Sequence, residues 1–255
     1  MLVLAIVGSP RHNGRSNDLA EAALRGAASQ GATVEKLHLI DFDVRPFTGQ
    51  GGSEEGANYC PAELSEAVAT ADALVLTAPV YWGDINGLTK DFMDSVALPV
   101  PQGNGLPALG AAIAGGSGKG LLSGVQSIYH WFYHKQMRAI DPTPVSRFSL
   151  ADALQSLEHS GARLARMTQQ RVSFTGDNSD ARWPDVVAWY ANLPYLRDGP
   201  AEEFLLLARQ LLREAGPGVD HAAVERYDAA LAARERGDLA TAGRLATETY
   251  RILFH

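Results

Sequence analysis

The sequence has a single cysteine, Cys60, among its 255 residues. A lone thiol forms no internal disulfide and falls short of the ligands that a structural zinc or an iron–sulfur cluster needs, so a reducing compartment is expected and a metal centre is not. Basic charge is scarce too. The 22 Lys and Arg against 29 Asp and Glu leave a formal net charge of -7. No run of them is dense enough to neutralise several phosphates, and no nucleic-acid partner is expected. Long apolar runs are also missing. The stretch from Met1 to Val7 is apolar, yet no basic residue precedes it and Gly8-Ser9-Pro10 ends it, far short of the roughly 20 residues that a membrane span requires. It reads as a buried strand of a cytoplasmic protein with no membrane partner. Extended Pro, Gly or Ser tracts are absent, and the 46% hydrophobic and 20% charged content is that of a chain that collapses.

What is present alternates between two periodicities. Leu2 to Val7 is continuously apolar, the pattern of a strand covered on both faces. Leu19, Ala20, Ala23, Leu24 and Ala27 then recur at helical spacing until Gly31. Thr33 to Leu39 alternates as a weaker strand. Pro61 opens a helix carrying Leu64, Ala67 and Val68, and Ala73 to Ala78 is a second fully apolar strand. Asn86 is placed to cap a helix with Leu88, Phe92 and Met93, and Ala111 to Ala114 forms another buried strand. Leu121 to Met137 reads as an aromatic-rich helix, Ala139 to Phe148 as an interrupted strand or loop, and Leu150 to Val172 as an amphipathic helix. Strands alternating with helices imply right-handed crossovers and one parallel sheet between helical layers. Beyond Thr175 the turn formers up to Asp180 break this pattern, which places a boundary between residues 1–175 and a helical extension at 176–255. Within the extension, Ala222 to Arg234 and Leu239 to Leu253 are expected to form a hairpin about Gly237-Asp238.

Three strand-end loops carry the candidate chemistry. Gly8 to Asn17 joins a buried strand to a helix start, where free backbone N–H groups and the positive end of the helix dipole favour an anion. Ser9, Ser16 and Asn17 add short donors and Arg11 adds charge. A plain helix cap by Ser16 or Asn17 is the bland alternative. Pro79, Val80, Tyr81, Trp82 and Gly83 follow the central apolar strand and offer a flat wall to a planar heterocycle. Gly115, Gly116, Ser117 and Gly118, followed by Lys119, let backbone approach a ligand closely. Other motifs fail on inspection. Ile113 to Gly120 lacks the first glycine and the final Ser or Thr of a phosphate-binding P-loop. His130 and His134 lie one helical turn apart but lack the glutamate and third ligand of a zinc protease, and Gly120 to Gly124 is no nucleophile elbow because its serine is displaced.

Taken together, the three loops resemble the NADPH-dependent FMN reductase family, including its iron–sulfur-flavoprotein-like branch, over roughly residues 1–175. The resemblance rests on Gly8-Ser9-Pro10-Arg11 with Ser16-Asn17, on Pro79 to Gly83 with downstream Lys90, Phe92 and Asp94, and on Gly115-Gly116-Ser117. It implies a flavodoxin-like, doubly wound α/β fold with a five-stranded parallel sheet in the order 2-1-3-4-5. It also implies FMN, with its phosphate at Ser9, Arg11, Ser16 and Asn17 and its ring between the two later loops. The activity implied is that of an NAD(P)H-dependent oxidoreductase working by ping-pong hydride transfer through flavin N5 to a flavin, quinone or other small-molecule acceptor. Backbone around Gly116 to Gly118 would stabilise charge on the ring, with Lys119 as a possible helper. Two departures stand out: the cysteine cluster of the iron–sulfur branch has no counterpart, and Ser95 replaces an arginine common in the family. The alternatives are a flavodoxin-type electron carrier and a noncatalytic flavin-binding interaction protein. The aromatic residues Tyr129, Trp131, Phe132 and Tyr133 surround their helix, which suggests a homodimer or homotetramer interface, with cover by the C-terminal helices as the simpler explanation.

Overall fold

Apolar residues in strands of the computed structural model divide strictly by alternation, and the division sets the layers. The structure describes residues 1–49, 59–98 and 104–254. Its elements are β1 (Leu2–Val7), α1 (Arg15–Ala28), β2 (Thr33–His38), α2 (Ala62–Thr70), β3 (Ala73–Tyr81), β4 (Asp84–Ile85), α3 (Gly87–Ser95), β5 (Pro107–Ala114), α4 (Leu121–His134), β6 (Arg138–Ser146) and α5 (Leu150–Gln170). Four helices follow: α6 (Ser179–Ala191), α7 (Pro200–Ala215), α8 (His221–Glu235) and α9 (Leu239–Leu253). Leu4, Ile6, Leu74 and Leu76 face a core shared with α2, α3, α4 and α6. Val3, Ala5, Val7, Val75 and Leu109 face the opposite core, made with α1 and α5. Covering both faces explains why these strands read as continuous apolar runs.

The long strands are all parallel, in the order β2-β1-β3-β5-β6, and the two-residue β4 pairs antiparallel with the end of β3. With β4 set aside, this is the expected 2-1-3-4-5 sheet. The order reverses between β1 and β3, which opens a crevice at the carboxyl ends of those strands. On the far face α1 and α5 cross in close contact. A Cβ added at Gly26 would run into the Glu158 carbonyl, and one at Gly161 into the Ala23 carbonyl.

The stretch from Ala139 to Phe148, ambiguous in the sequence, belongs to β6 as far as Ser146, with an irregularity in its pairing between Leu109 and Ala111. Tyr129 repairs the ladder there. Its hydroxyl accepts from the Gly110 N–H at 3.1 Å and donates to the Ile140 carbonyl. Burial pushes this phenol's pKa far up, so it stays a donor.

The aromatic helix α4 finds its cover within the chain. Tyr129, Trp131 and Phe132 are buried, while Tyr133 packs 5.1 Å from Trp183 and 5.2 Å from Tyr190 of α6. These rings therefore do not form the free interface that their distribution suggested. Helix α6 is fixed to β6 by Trp189 Nε1 donating to the Ala139 carbonyl at 2.7 Å and the Tyr190 hydroxyl donating to Met137 at 2.8 Å. The α8–α9 hairpin turns at Gly237 (φ 78°), and Asp238 caps α9 by accepting from Thr241 N–H at 3.0 Å. Leu205 of α7 joins Ala230 and Ala246 in a small core with Tyr227, Leu231 and Leu245, so the hairpin packs as part of a three-helix group. No helix among the described residues is long and apolar enough to cross a membrane.

Candidate functional site

Where β1 ends, the chain is held by its neighbours' side chains. Gly8 N–H donates to the Thr77 carbonyl at 2.8 Å, and Gly8 O accepts from Asn86 Nδ2 at 2.8 Å and from Thr89 Oγ1 at 3.2 Å. A Cβ at Gly8 would collide with Thr89. Asn86 precedes α3 as expected, but its side chain serves this loop rather than capping its own helix. Helix α1 likewise begins at Arg15, after Gly14, and carries no side-chain cap. Ser16 and Asn17 therefore lie in its first turn. Ser9 and Ser16 are each only 2% exposed. The Ser9 hydroxyl accepts from Arg11 N–H at 3.1 Å, and Thr77 Oγ1 donates to the Ser16 carbonyl at 2.9 Å, so both serines are held on a fixed backbone.

The second loop is a tight hairpin. Tyr81 pairs with Asp84 across the two-residue turn Trp82-Gly83, whose φ values are 54° and 90°. Two positive φ angles in succession are the pattern of a type I′ turn, which asparagine and glycine fill easily and tryptophan does not. Trp82 is nevertheless there, fully exposed at the rim. Strain of this kind costs about 1–3 kcal/mol and concentrates at functional sites. The hairpin is tied to α4: the Ser123 hydroxyl donates to the Gly83 carbonyl, and Ser127 Oγ donates to Asp84 Oδ1 at 2.6 Å.

The third loop, after β5, is shaped by the C-terminal helices. Gly118 N–H donates to Gly115 O at 2.7 Å. Among the described residues, chain neighbours aside, no protein atom stands within 4 Å of where a Cβ of Gly115 or Gly116 would lie. Among the described residues no protein acceptor meets the N–H groups of Gly116 and Ser117. The Tyr250 hydroxyl of α9 donates to the Ser117 carbonyl at 2.9 Å. Glu203 of α7 accepts from Gly120 N–H at 3.1 Å and from Leu122 N–H at 3.2 Å, and so caps α4.

These loops enclose one cavity of about 680 Å³, lined by Ser9, Arg11, Ser16, Pro79, Val80, Tyr81, Trp82, Gly83, Gly115, Gly116, Ser117 and Lys119. That size lies within the range of small-molecule and cofactor sites. Two expected residues are not in its lining. The Asn17 amide donates to Glu21 at 3.1 Å and accepts from the Lys36 ammonium at 2.6 Å; the hydrogen bond from Lys36 to Glu21, followed by that from Asn17, holds the Glu21 carboxyl below its usual pKa. Gly118 faces Leu207 and Phe148 instead. The lining adds Arg15, Ile113, Ala114, Arg147 and Leu150. Arg147 follows the end of β6, so extending the strand-end rule to a fourth strand would have found it. His130 and His134 are exposed on α4, away from the cavity lining. No cluster of metal-ligating residues occurs among the described residues.

A sequence profile described as NADPH-dependent FMN reductase matches residues 1–149. The chain belongs to that family. It is a flavin-dependent oxidoreductase, and FMN with a nicotinamide donor is the cofactor set of the family. Over 154 residues it is 30% identical to an iron-sulfur flavoprotein of Methanocaldococcus jannaschii, a match covering 56% of this chain and 79% of that one. An iron-sulfur flavoprotein of Methanosarcina thermophila is 26% identical over 141 residues, covering 52% of this chain and 73% of the relative. Among solved structures, the apo form of an NADH:FMN oxidoreductase is similar with a TM-score of 0.51 and 24% identity over 71% of this chain and 93% of its own. A flavone reductase is similar with a TM-score of 0.53 and 16% identity over 69% of this chain and 67% of its own. Both share the fold. This member of the FMN reductase family has one cysteine, Cys60, which is buried and whose thiol pKa is raised by that burial.

The residues present fit FMN. Two buried serines and two arginines surround the start of α1, as a phosphate dianion requires. Open space over Gly115 and Gly116, opposite Tyr81 and Trp82, suits a flat ring. Among the described lining residues there is no carboxylate to repel the phosphate.

Proposed function

We propose that this protein is an NAD(P)H-dependent, FMN-containing reductase of a small-molecule acceptor such as a flavin or quinone, with donor and acceptor using the same open side of the cavity in turn. The observation that carries the reading is the single cavity uniting all three strand-end loops at the reversal of strand order. Bound there, FMN supplies the hydride and electron transfer that no side chain can perform. The chain's own part is binding and orientation. Ser9 and Ser16 would donate to the phosphate, with Arg11 and Arg15 balancing its charge. Tyr81 and the strained Trp82 would wall one side of the ring. Among the described residues the N–H groups of Gly116 and Ser117 meet no protein acceptor, and they would serve as fixed hydrogen-bond donors to a bound ring, which need no reorganisation to act.

A visible absorption spectrum of the purified protein, before and after anaerobic NADPH, tests the reading. The expected result is a flavin spectrum that bleaches with NADPH and recovers when a quinone is added. A colourless protein that takes up no FMN would refute it. Bound flavin reduced by a partner protein but not by NADH or NADPH would instead identify an electron carrier.

A further inference from the structure

In a chain of net charge -7, the cavity gathers Arg11, Arg15, Lys119 and Arg147. The four cations fall into two pairs. Arg11 in the β1–α1 loop and Arg15 at the start of α1 lie beside Ser9 and Ser16, where the FMN phosphate would occupy them. Lys119 and Arg147 stand at the ends of β5 and β6, on the other side of the β1–β3 crevice. Arg15 pairs with Asp18 at 3.0 Å, whereas neither Lys119 nor Arg147 forms an ion pair among the described residues.

Aromatic rings hold this second pair in place. The Lys119 ammonium lies 5.6 Å from the Tyr250 ring centroid and 5.7 Å from that of Phe204. The Arg147 guanidinium lies 4.7 Å from Phe148 and 5.7 Å from Phe254. Tyr250 and Phe254 stack on each other at 4.9 Å with an interplanar angle of 16°. One stack at the end of α9 thus touches both cations, and both line the same cavity. A ring face attracts a cation without neutralising it, so the N–H donors stay available to an anion. An anion that met both would gain from two charges at once. The rings that hold them come largely from residues beyond 149, outside the segment that matches the family.

We propose that Lys119 and Arg147 form a second anion subsite that selects substrates joining a flat ring to a carboxylate, sulfonate or phosphate. This rests on the reductase reading above and adds the substrate class. The anion has two possible sources, the 2′-phosphate that distinguishes NADPH from NADH or an acidic group on the acceptor. The test uses the full flavin-loaded protein and the variants Arg147→Gln and Lys119→Gln. Steady-state rates are compared for NADPH against NADH, and for a naphthoquinone sulfonate against neutral naphthoquinone. Binding of the sulfonate is followed separately by calorimetry. The kcat/KM ratio of anionic to neutral substrate should fall about tenfold in each variant, mainly through KM, as loss of a charge-assisted hydrogen bond at a solvated rim predicts. The wild-type preference should weaken as ionic strength rises. A fall in the NADPH to NADH ratio assigns the anion to the donor. A fall in the sulfonate to neutral ratio, with weaker sulfonate binding, assigns it to the acceptor. Both ratios within twofold of wild type, with flavin retained, would overturn the subsite alone. A wild-type protein without flavin would overturn the subsite and the reductase reading together.

Discussion

Replacing Glu203 with alanine should loosen the glycine loop from a distance. Helix α4 starts after Gly120, which has φ 88° and no side chain, so the helix has no cap of its own. Both carboxylate oxygens of Glu203 fill that role, at 3.1 Å to Gly120 N–H and 3.2 Å to Leu122 N–H. Each donor left without a partner costs about 1–3 kcal/mol when fully buried. Glu203 is only partly buried, so water recovers some of this, and loss of the favourable charge at the helix N-terminus adds about 0.3–1 kcal/mol. A net loss of about 2–3 kcal/mol follows, equivalent to a fall in Tm of about 5–10 °C for a chain of this size. Glu203→Gln keeps one acceptor and should lose about 1 kcal/mol. Differential scanning calorimetry of the apo protein gives the stability term, and fluorescence titration gives FMN affinity, which should weaken in the alanine variant because Gly115 to Gly120 shares this anchor. An alanine variant melting within 1 °C of wild type, with a Gln variant no different from it, would refute the reasoning.

Three other perturbations probe separate parts of the site. Ser16→Ala, and independently Ser9→Ala, should weaken FMN binding by roughly tenfold to a hundredfold, the loss of one donor to a buried dianion; affinities within twofold of wild type would remove the phosphate from this loop. Trp82→Gly should raise Tm by relieving the positive-φ strain, worth about 1–3 kcal/mol, while weakening flavin binding. A variant that is both less stable and equally tight for FMN would contradict the assigned strain. His38 is held below its ordinary pKa of 6.5 by burial, with the charges of Lys36 and His12 acting in the same direction, and its buried Nδ1 has no partner among the described residues. The unfolded chain therefore binds the proton more readily. The contribution of His38 to stability is fully present above about pH 6.5 and is lost as pH falls through the lower folded value. Thermal melts from about pH 7.5 down to 5.5 should fall more steeply for wild type than for His38→Gln, and parallel curves would show that the imidazole is not the titrating group.

How far the sequence alone reached depended on whether a property was local. Strands β1, β3 and β5 were legible because burial on both faces leaves an unbroken apolar run, and α1, α4 and α5 because their apolar positions repeat at helical spacing. β6 was ambiguous: Asp141, Pro142 and Pro144 interrupt its pattern, and its pairing is completed by the Tyr129 hydroxyl from a different element. Capping was misread for a similar reason, since Asn86 stands where a cap of α3 should but its amide is bonded to Gly8, 78 residues away.

The loops leaving β1, β3 and β5 were identifiable as a ligand site from their residue types and their positions after apolar strands, because a parallel sheet gathers successive strand ends at one edge. Sequence also determined that one thiol cannot hold a cysteine-ligated cluster. Only the tertiary structure decided that Asn17 and Gly118 turn away from the cavity, that Arg147 joins it, and that α7 and α9 brace the glycine loop through Glu203 and Tyr250. Those outcomes depend on which distant side chain reaches a given donor or ring first, a competition settled by packing in three dimensions and carried by no local pattern.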